Sequence, residues 1–300
     1  MIKKMIADQI RSFAGSGRPP TDFLIPANDP GLFGPESMAW EIHRDFVSMM
    51  IGGISALILQ AQHPAALAGV WDHSTFRKDL RGRLKRTAYF IAATTYGGKE
   101  MAMASIHRVK SIHDHLHGVL PDGRTYRVSD PHLLYWVHLT EITSFLKSYE
   151  TYRGRRLSRA LKDQYIAEMS LIVRGLGCDL KDEKGHDRIA MTYSQALDDI
   201  RAYRSELEYT ERTQTVINLI ENAPTEPQLY AMNKLIIKAG FNNLPDWIYP
   251  LINRQVPTES ERYLVEAAIK AMAVPVRWAL SDGVHAHALR RMRSSAVRED

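Results

Sequence analysis

Apolar residues recur at three- and four-residue intervals over most of this chain, and strict alternation is confined to one short segment, so the pattern predicts helices. Ile2, Met5, Ile6, Ile10 and Phe13 predict a short amphipathic helix with Lys3, Lys4 and Arg11 outside. Such a helix serves either as an arm packed on the body or as a weak peripheral contact with a membrane surface. Gly15 to Pro35 is rich in glycine and proline and reads as an extended loop. Pro35 suits the first position of a helix running from about Glu36 to Gln62, and Pro64 opens a short one after it. No Asp, Glu, Lys or Arg occurs between Phe46 and Trp71, a length that could span a bilayer. Gly52-Gly53, Gln60, Gln62 and His63-Pro64 within it favour a buried core helix that ends at the proline.

Ser74 is the expected N-cap of the next helix, which carries Arg83, Arg86 and Thr87. Gly97-Gly98 breaks it from a second helix carrying His113, for which Gly118 is the expected C-terminal cap. The segment VLPDGRTYRV predicts a small hairpin. Asp130-Pro131 opens a helix bearing Trp136, His138, Ile142, Phe145 and Tyr149. Ser158 starts another through Leu176, stopped by Gly175 and Gly177, and Asp179 to Arg188 reads as a charged loop. Capping boxes are expected at Thr192–Gln195, Thr225–Gln228 and Thr258–Glu261. Pro275 is expected to kink the last long helix, and a polar tail to fray from about Arg290. The expected architecture is all-α: residues 1–35 an arm and loop, 36–290 a single globular multi-helix domain with one minor β-hairpin, and 291–300 a polar tail.

Composition narrows the function classes. Apolar residues make up 45% of 300 positions, enough for a substantial core. The net charge of +5 is mild and its cations are spread out, so a dedicated nucleic-acid surface is not expected. The single cysteine, Cys178, forbids an internal disulfide and a CxxCH covalent haem attachment, and reads as a small residue near a helix end. The first residues are charged and lack an apolar leader core, so a cytoplasmic location is expected, with at most a peripheral membrane contact.

The chemistry concentrates between Arg83 and Gly118. Arg83, Arg86 and Thr87 share one helix face, and Thr87, Phe90, Ile91 and Thr94 are expected to turn that face inward. His113 continues the apolar stripe Ala102, Ile106, Val109 and Leu116. Three readings of His113 stand: a hydrogen-bonded core residue, half of a non-haem metal site with His117 at i+4, or the axial ligand of a haem iron. Haem ligation requires a neutral imidazole, with its second ring nitrogen bonded to a carbonyl or carboxylate. Glu183-Lys-Gly-His186, the one Glu-x-x-His, falls in a charged loop, whereas a di-iron bundle needs two such motifs on helices. Arg83 and Arg86 want anionic partners, which a haem propionate or a structural carboxylate supplies. His138 is either a core histidine or a donor to a propionate or distal pocket, and His63 a helix-end residue. There is no nucleophile triad and no P-loop.

These residues also carry a resemblance. Gly52-Gly53 with Gln60-Ala-Gln-His63-Pro64, Gly69-Val70 with His73-Ser74-Thr75-Phe76, Arg83-Leu-Lys-Arg86-Thr87, His113 with Gly118, Asp122-Gly123, Asp130-Pro131 and Trp136-Val-His138 follow one another as in the rubber-oxygenase catalytic-domain family. That family includes latex clearing proteins and MpaB-type oxygenases. The resemblance covers residues 36 to 180 well and the rest loosely. It implies an all-helical fold around a non-covalent haem b, with His113 at the axial-histidine position and Arg83, Arg86 and Thr87 at the distal positions. Latex clearing proteins carry Lys where this chain has Arg86, and a permanently protonated arginine is a poor reversible iron ligand. Polymer cleavage outside the cell is not carried over, because no export signal is seen.

The expected function is therefore a haem b-dependent oxygenase using dioxygen on an apolar small molecule, such as an isoprenoid or lipid double bond. His113 is the iron ligand, Arg86 and Thr87 orient the polarised oxygen, and Arg83 or His138 anchors propionates. The alternatives are a haem-binding sensor or carrier without turnover, and a helical protein with no cofactor.

Overall fold

The computed structural model describes residues 21–293; the expected N-terminal amphipathic helix lies outside them. Among the described residues the protein is a mostly α single domain with one two-stranded hairpin. The helices are α1 (Met38–His43), α2 (Phe46–Gln60), α3 (Pro64–His73), α4 (Leu80–Tyr96), α5 (Lys99–Asp114), α6 (Pro131–Ser148), α7 (Arg159–Gly175), α8 (Tyr193–Ala202), α9 (Glu211–Glu221), α10 (Tyr230–Asn242), α11 (Glu259–Ala279) and α12 (Val284–Arg293). Strands β1 (His117–Val119) and β2 (Thr125–Arg127) pair antiparallel, with Gly118 opposite Tyr126.

Many boundaries fall where local chemistry predicts them. Asp130 accepts from the His132 amide and Pro131 starts α6. Ser158 accepts from the Leu161 amide at the head of α7. Thr192 and Thr258 form reciprocal capping boxes with Gln195 and Glu261. Others differ. The expected helix from Glu36 to Gln62 is two helices: α1 starts after Ser37, and α2 restarts at Asp45, whose carboxylate accepts from the Ser48 amide. Asp79, not Ser74, caps α4, because its carboxylate reaches the Gly82 amide at 2.7 Å. Gly118 is a strand residue and α5 ends at His115; a Cβ at Gly118 would lie 2.8 Å from the Tyr126 ring. Thr225 caps no helix, since Pro227 opens only a short 3-10 turn, whereas Thr210 and Thr213 make a box that was not expected.

The centre is the contact between α2 and α6. Gly52 lets them close: a Cβ there would stand 2.8 Å from Phe145 Cδ1 and 3.0 Å from the Ser144 carbonyl oxygen. Ser148 Oγ donates to the Ser48 carbonyl at 2.7 Å along the same seam. On its other side α2 meets α10 through Gly240, where a Cβ would meet Ile54, and Ser55 Oγ donates to the Gly240 carbonyl at 2.6 Å. Asp45 ties α2 to α11: Arg277 Nε donates to its Oδ2 at 2.6 Å, and Arg277 Nη2 to Oδ1 at 3.1 Å. Burial pushes this carboxyl's pKa up, but the hydrogen bonds from Arg277 and Ser48 outweigh that and hold it below the ordinary value. The uncharged stretch from Phe46 to Trp71 is α2 and α3, bent by 104° at the break, and no single helix among the described residues is long and apolar enough to cross a membrane.

Arg290 to Arg293 do not fray. They complete α12, and Arg291 is fully buried. Its guanidinium donates to the carbonyls of Asp29 at 2.8 Å, Tyr96 at 2.8 Å, Phe23 at 3.3 Å and Gly97 at 3.4 Å. A basic residue read as tail is thus a buried clasp for unpaired backbone oxygens.

The Gly52 contact generates a prediction. Gly52→Ala gains about 1 kcal/mol of helix propensity, yet it forces a methyl into the α2–α6 seam, an overpacking that costs about 1–3 kcal/mol. The expected net effect in chemical denaturation is a loss of stability; a gain would refute the close approach.

Candidate functional site

The stripe on α5 behaves as its periodicity predicts. Ala102 and Ile106 are buried, and Val109, His113 and Leu116 are half-buried toward the helix end. The His113 ring meets no hydrogen-bond partner, and its Nδ1 is buried. Burial, together with the positive charge of Arg83, lowers its pKa, while Asp114 opposes the shift. At neutral pH this is an uncharged imidazole, the state a metal ligand needs.

Only part of the basic face on α4 joins it. Arg83 is half-buried and its Nη1 donates to Ser74 Oγ at 3.3 Å. Arg86 and Thr87 are exposed, contrary to the inward face expected for them. The Arg86 side chain is 64% accessible and lies 3.9 Å from Asp79 Oδ2. The reason is that α4 is solvated over its first half and becomes fully buried only at Ala93–Tyr96, so the inward turn begins later than the Thr87–Thr94 spacing suggests.

The residue that sequence reasoning missed is Glu141. It sits on α6, and burial raises its pKa to about 7; the Gln60 side chain and the charge of Arg83 hold it from going higher. Gln60 Nε2 also donates to Thr140 Oγ1 at 3.1 Å. The signal was present: Glu141 is the one acidic residue in PHLLYWVHLTEITSFLKS, a helix otherwise apolar on nearly every face. Arg83 is within electrostatic reach of both His113 and Glu141, so α4, α5 and α6 bring an imidazole, a guanidinium and a protonatable carboxyl to one region.

His138, on the same helix, is buried, and its Nε2 has no partner. Burial and then Arg174 lower its pKa to about 3, so it is neutral. Its ring stacks near Tyr135 at 6.4 Å. His63 precedes α3 without capping it, as a helix-end residue. Cys178 is buried past the end of α7, its Sγ donating to the Pro131 carbonyl at 3.3 Å; burial raises its pKa to about 12, so it is inert at neutral pH. A cleft of about 420 Å³ lined by Leu59, Lys147, Tyr193 and Trp247 opens at Lys147, on the face of α6 away from His138 by helical spacing.

Most of the chain matches a known family. The model described as "ER-bound oxygenase mpaB/B'/Rubber oxygenase, catalytic domain" matches residues 40–292. No curated protein and no solved structure gives a significant match.

Glu141 gives a pH-dependent prediction. Its folded pKa lies above its unfolded value of 4.5, so the folded state holds the extra proton between these values. Its contribution to stability is full below about pH 4.5 and is lost as pH rises through about 7. Glu141→Gln should therefore raise stability over wild type at pH 8 and bring little gain at pH 4.5. Denaturant titration of cofactor-free protein at the two pH values checks this; parallel curves at both would refute it.

Proposed function

This chain belongs to the mpaB and rubber oxygenase catalytic-domain family and is an oxygenase; we propose that it is a haem b-dependent one acting with dioxygen on an apolar small molecule, such as an isoprenoid or lipid double bond. The observation that carries this reading is His113: an uncharged imidazole without a protein hydrogen bond, within electrostatic reach of a half-buried guanidinium. A macrocycle with an iron centre and carboxylate arms answers both needs at once.

In this reading His113 holds the iron. Arg83 receives an anionic arm of the macrocycle, for which a fork of N–H donors is well suited. His138, buried and neutral with an unpaired Nε2, supplies one further hydrogen-bonding site. When bound, the haem supplies the activation of dioxygen that no side chain here provides. Glu141 contributes a carboxyl that keeps or releases a proton near neutral pH, and Gln60 orients it. Val109 and Leu116, half-buried on either side of His113 along the same stripe, would give this end of α5 an apolar surface that favours a greasy substrate. Arg86 and Thr87, exposed on the same helix as Arg83, would orient the dioxygen.

The His113 assignment is tested by composition as well as by turnover. His113→Ala should purify with less than about a tenth of the wild-type haem, read from the Soret band per chain; full occupancy with an unchanged spectrum would remove His113 from the role. Wild-type haem protein should consume dioxygen in the presence of at least one isoprenoid or unsaturated lipid. Haem binding with no consumption across a broad panel would leave a carrier or sensor.

A further inference from the structure

Away from the region around Arg83, three side chains from distant parts of the chain meet at one point. His63 stands at the break between α2 and α3, His132 lies in the first turn of α6, and Glu206 ends the short turn Tyr203–Glu206 that follows α8. One donor atom from each falls within 4.8 Å of the others. His132 Nε2 is 2.9 Å from Glu206 Oε2 and 3.0 Å from Oε1. His63 Nε2 is 3.5 Å from Glu206 Oε2.

A hydrogen-bonded pair accounts for His132 and Glu206, but not for His63. Its residue is 8% exposed, and neither ring nitrogen has a hydrogen-bond partner. Leaving a buried polar nitrogen unsatisfied costs about 1–3 kcal/mol, and this one faces a carboxylate and a second imidazole. We propose that His63, His132 and Glu206 form a binding site for a divalent cation of the zinc class, distinct from the haem site and built as a clasp.

Ligand chemistry and spacing agree. Two imidazoles and one carboxylate are a recurrent zinc set, and tetrahedral bonds of about 2.0–2.1 Å separate neighbouring donors by about 3.3 Å. The observed 2.9 Å and 3.5 Å bracket that value, so small side-chain movements admit the ion. The outer contacts suit it as well. Tyr203 Oη donates to the His132 carbonyl at 2.9 Å and lies 3.1 Å from His132 Nδ1. With its own proton committed to the carbonyl, Tyr203 can accept from Nδ1–H, which leaves Nε2 bare for the metal. The His132 ring stacks on Tyr203 with centroids 4.4 Å apart, fixing its plane. Arg124, whose charge reaches His63, is paired with Asp122 at 2.6 Å. His132 and Glu206 are about half exposed, so the ion has a route in and the fourth position faces solvent.

The cation would join the α2–α3 break, the head of α6 and the end of α8, which adds to the backbone bond from the Glu208 amide to the Gln62 carbonyl at 2.8 Å. The test uses the full chain, freed of metal by chelation and titrated with Zn2+ alone. Wild type should bind one ion per chain at this site, melt at a higher temperature with Zn2+, and show a four- or five-coordinate visible spectrum with Co2+. His132→Ala and Glu206→Gln should each weaken binding more than tenfold and abolish the thermal shift. Both residues are partly exposed, so these variants are expected to fold, and circular dichroism verifies it. His186→Ala, in an exposed loop outside the cluster, should bind as wild type does. Absence of binding, or equal binding in wild type and the His132→Ala/Glu206→Gln double variant, would overturn the site. Haem content is read independently, so failure here leaves the His113 assignment standing.

Discussion

The fold depends on how closely α2 can approach α6. Both helices are buried along most of their length, and at Gly52 the backbone of one touches the side chain of the other. At that distance dispersion contacts are dense and backbone polar groups lie within reach of serine hydroxyls, as in the Ser148 to Ser48 bond. A methyl group at position 52 would displace α6, and α6 carries His132, His138 and Glu141. Part of the chemistry of the molecule is thus carried by a helix whose position is fixed by a residue without a side chain.

Burial then decides what those groups can be. Glu141 and His138 share a helix, yet desolvation acts on them in opposite senses: the carboxyl is held protonatable near neutral pH, and the imidazole is held neutral. Burial and then the charge of Arg86 lower the pKa of Arg83, with Glu141 opposing them, while Arg86, three residues away, sits in water beside Asp79. Burial thus separates a charged rim from an uncharged centre.

Much of this was legible in the chain. Asp130-Pro131, Ser158, the Pro-Asp-Gly hairpin and the Gly97-Gly98 break each rest on contacts within a few residues, so spacing alone reveals them. The cap at Asp45 is local, its carboxylate accepting from the Ser48 amide, but its tie to Arg277, 232 residues away, was hidden, and Arg291 read as tail because the carbonyls it binds lie near positions 23–97. His113 was visible as a polar interruption of an apolar stripe. The exposure of Arg86 and Thr87 was not legible, because periodicity gives the angle around a helix but not how far along it the protein's surface lies. The triad at His63 was invisible for the same reason as Asp45: its members come together only through the fold.

The Arg291 clasp also bears on the order in which the chain becomes complete. The carbonyls of Tyr96 and Gly97, at the junction between the two helices that carry Arg83 and His113, receive their donors from Arg291, 195 and 194 residues further along the chain. A chain growing from its N-terminus therefore reaches that junction about 190 residues before the group that satisfies it. Until Arg291 emerges from the ribosome, the junction between α4 and α5 has only water to bond to.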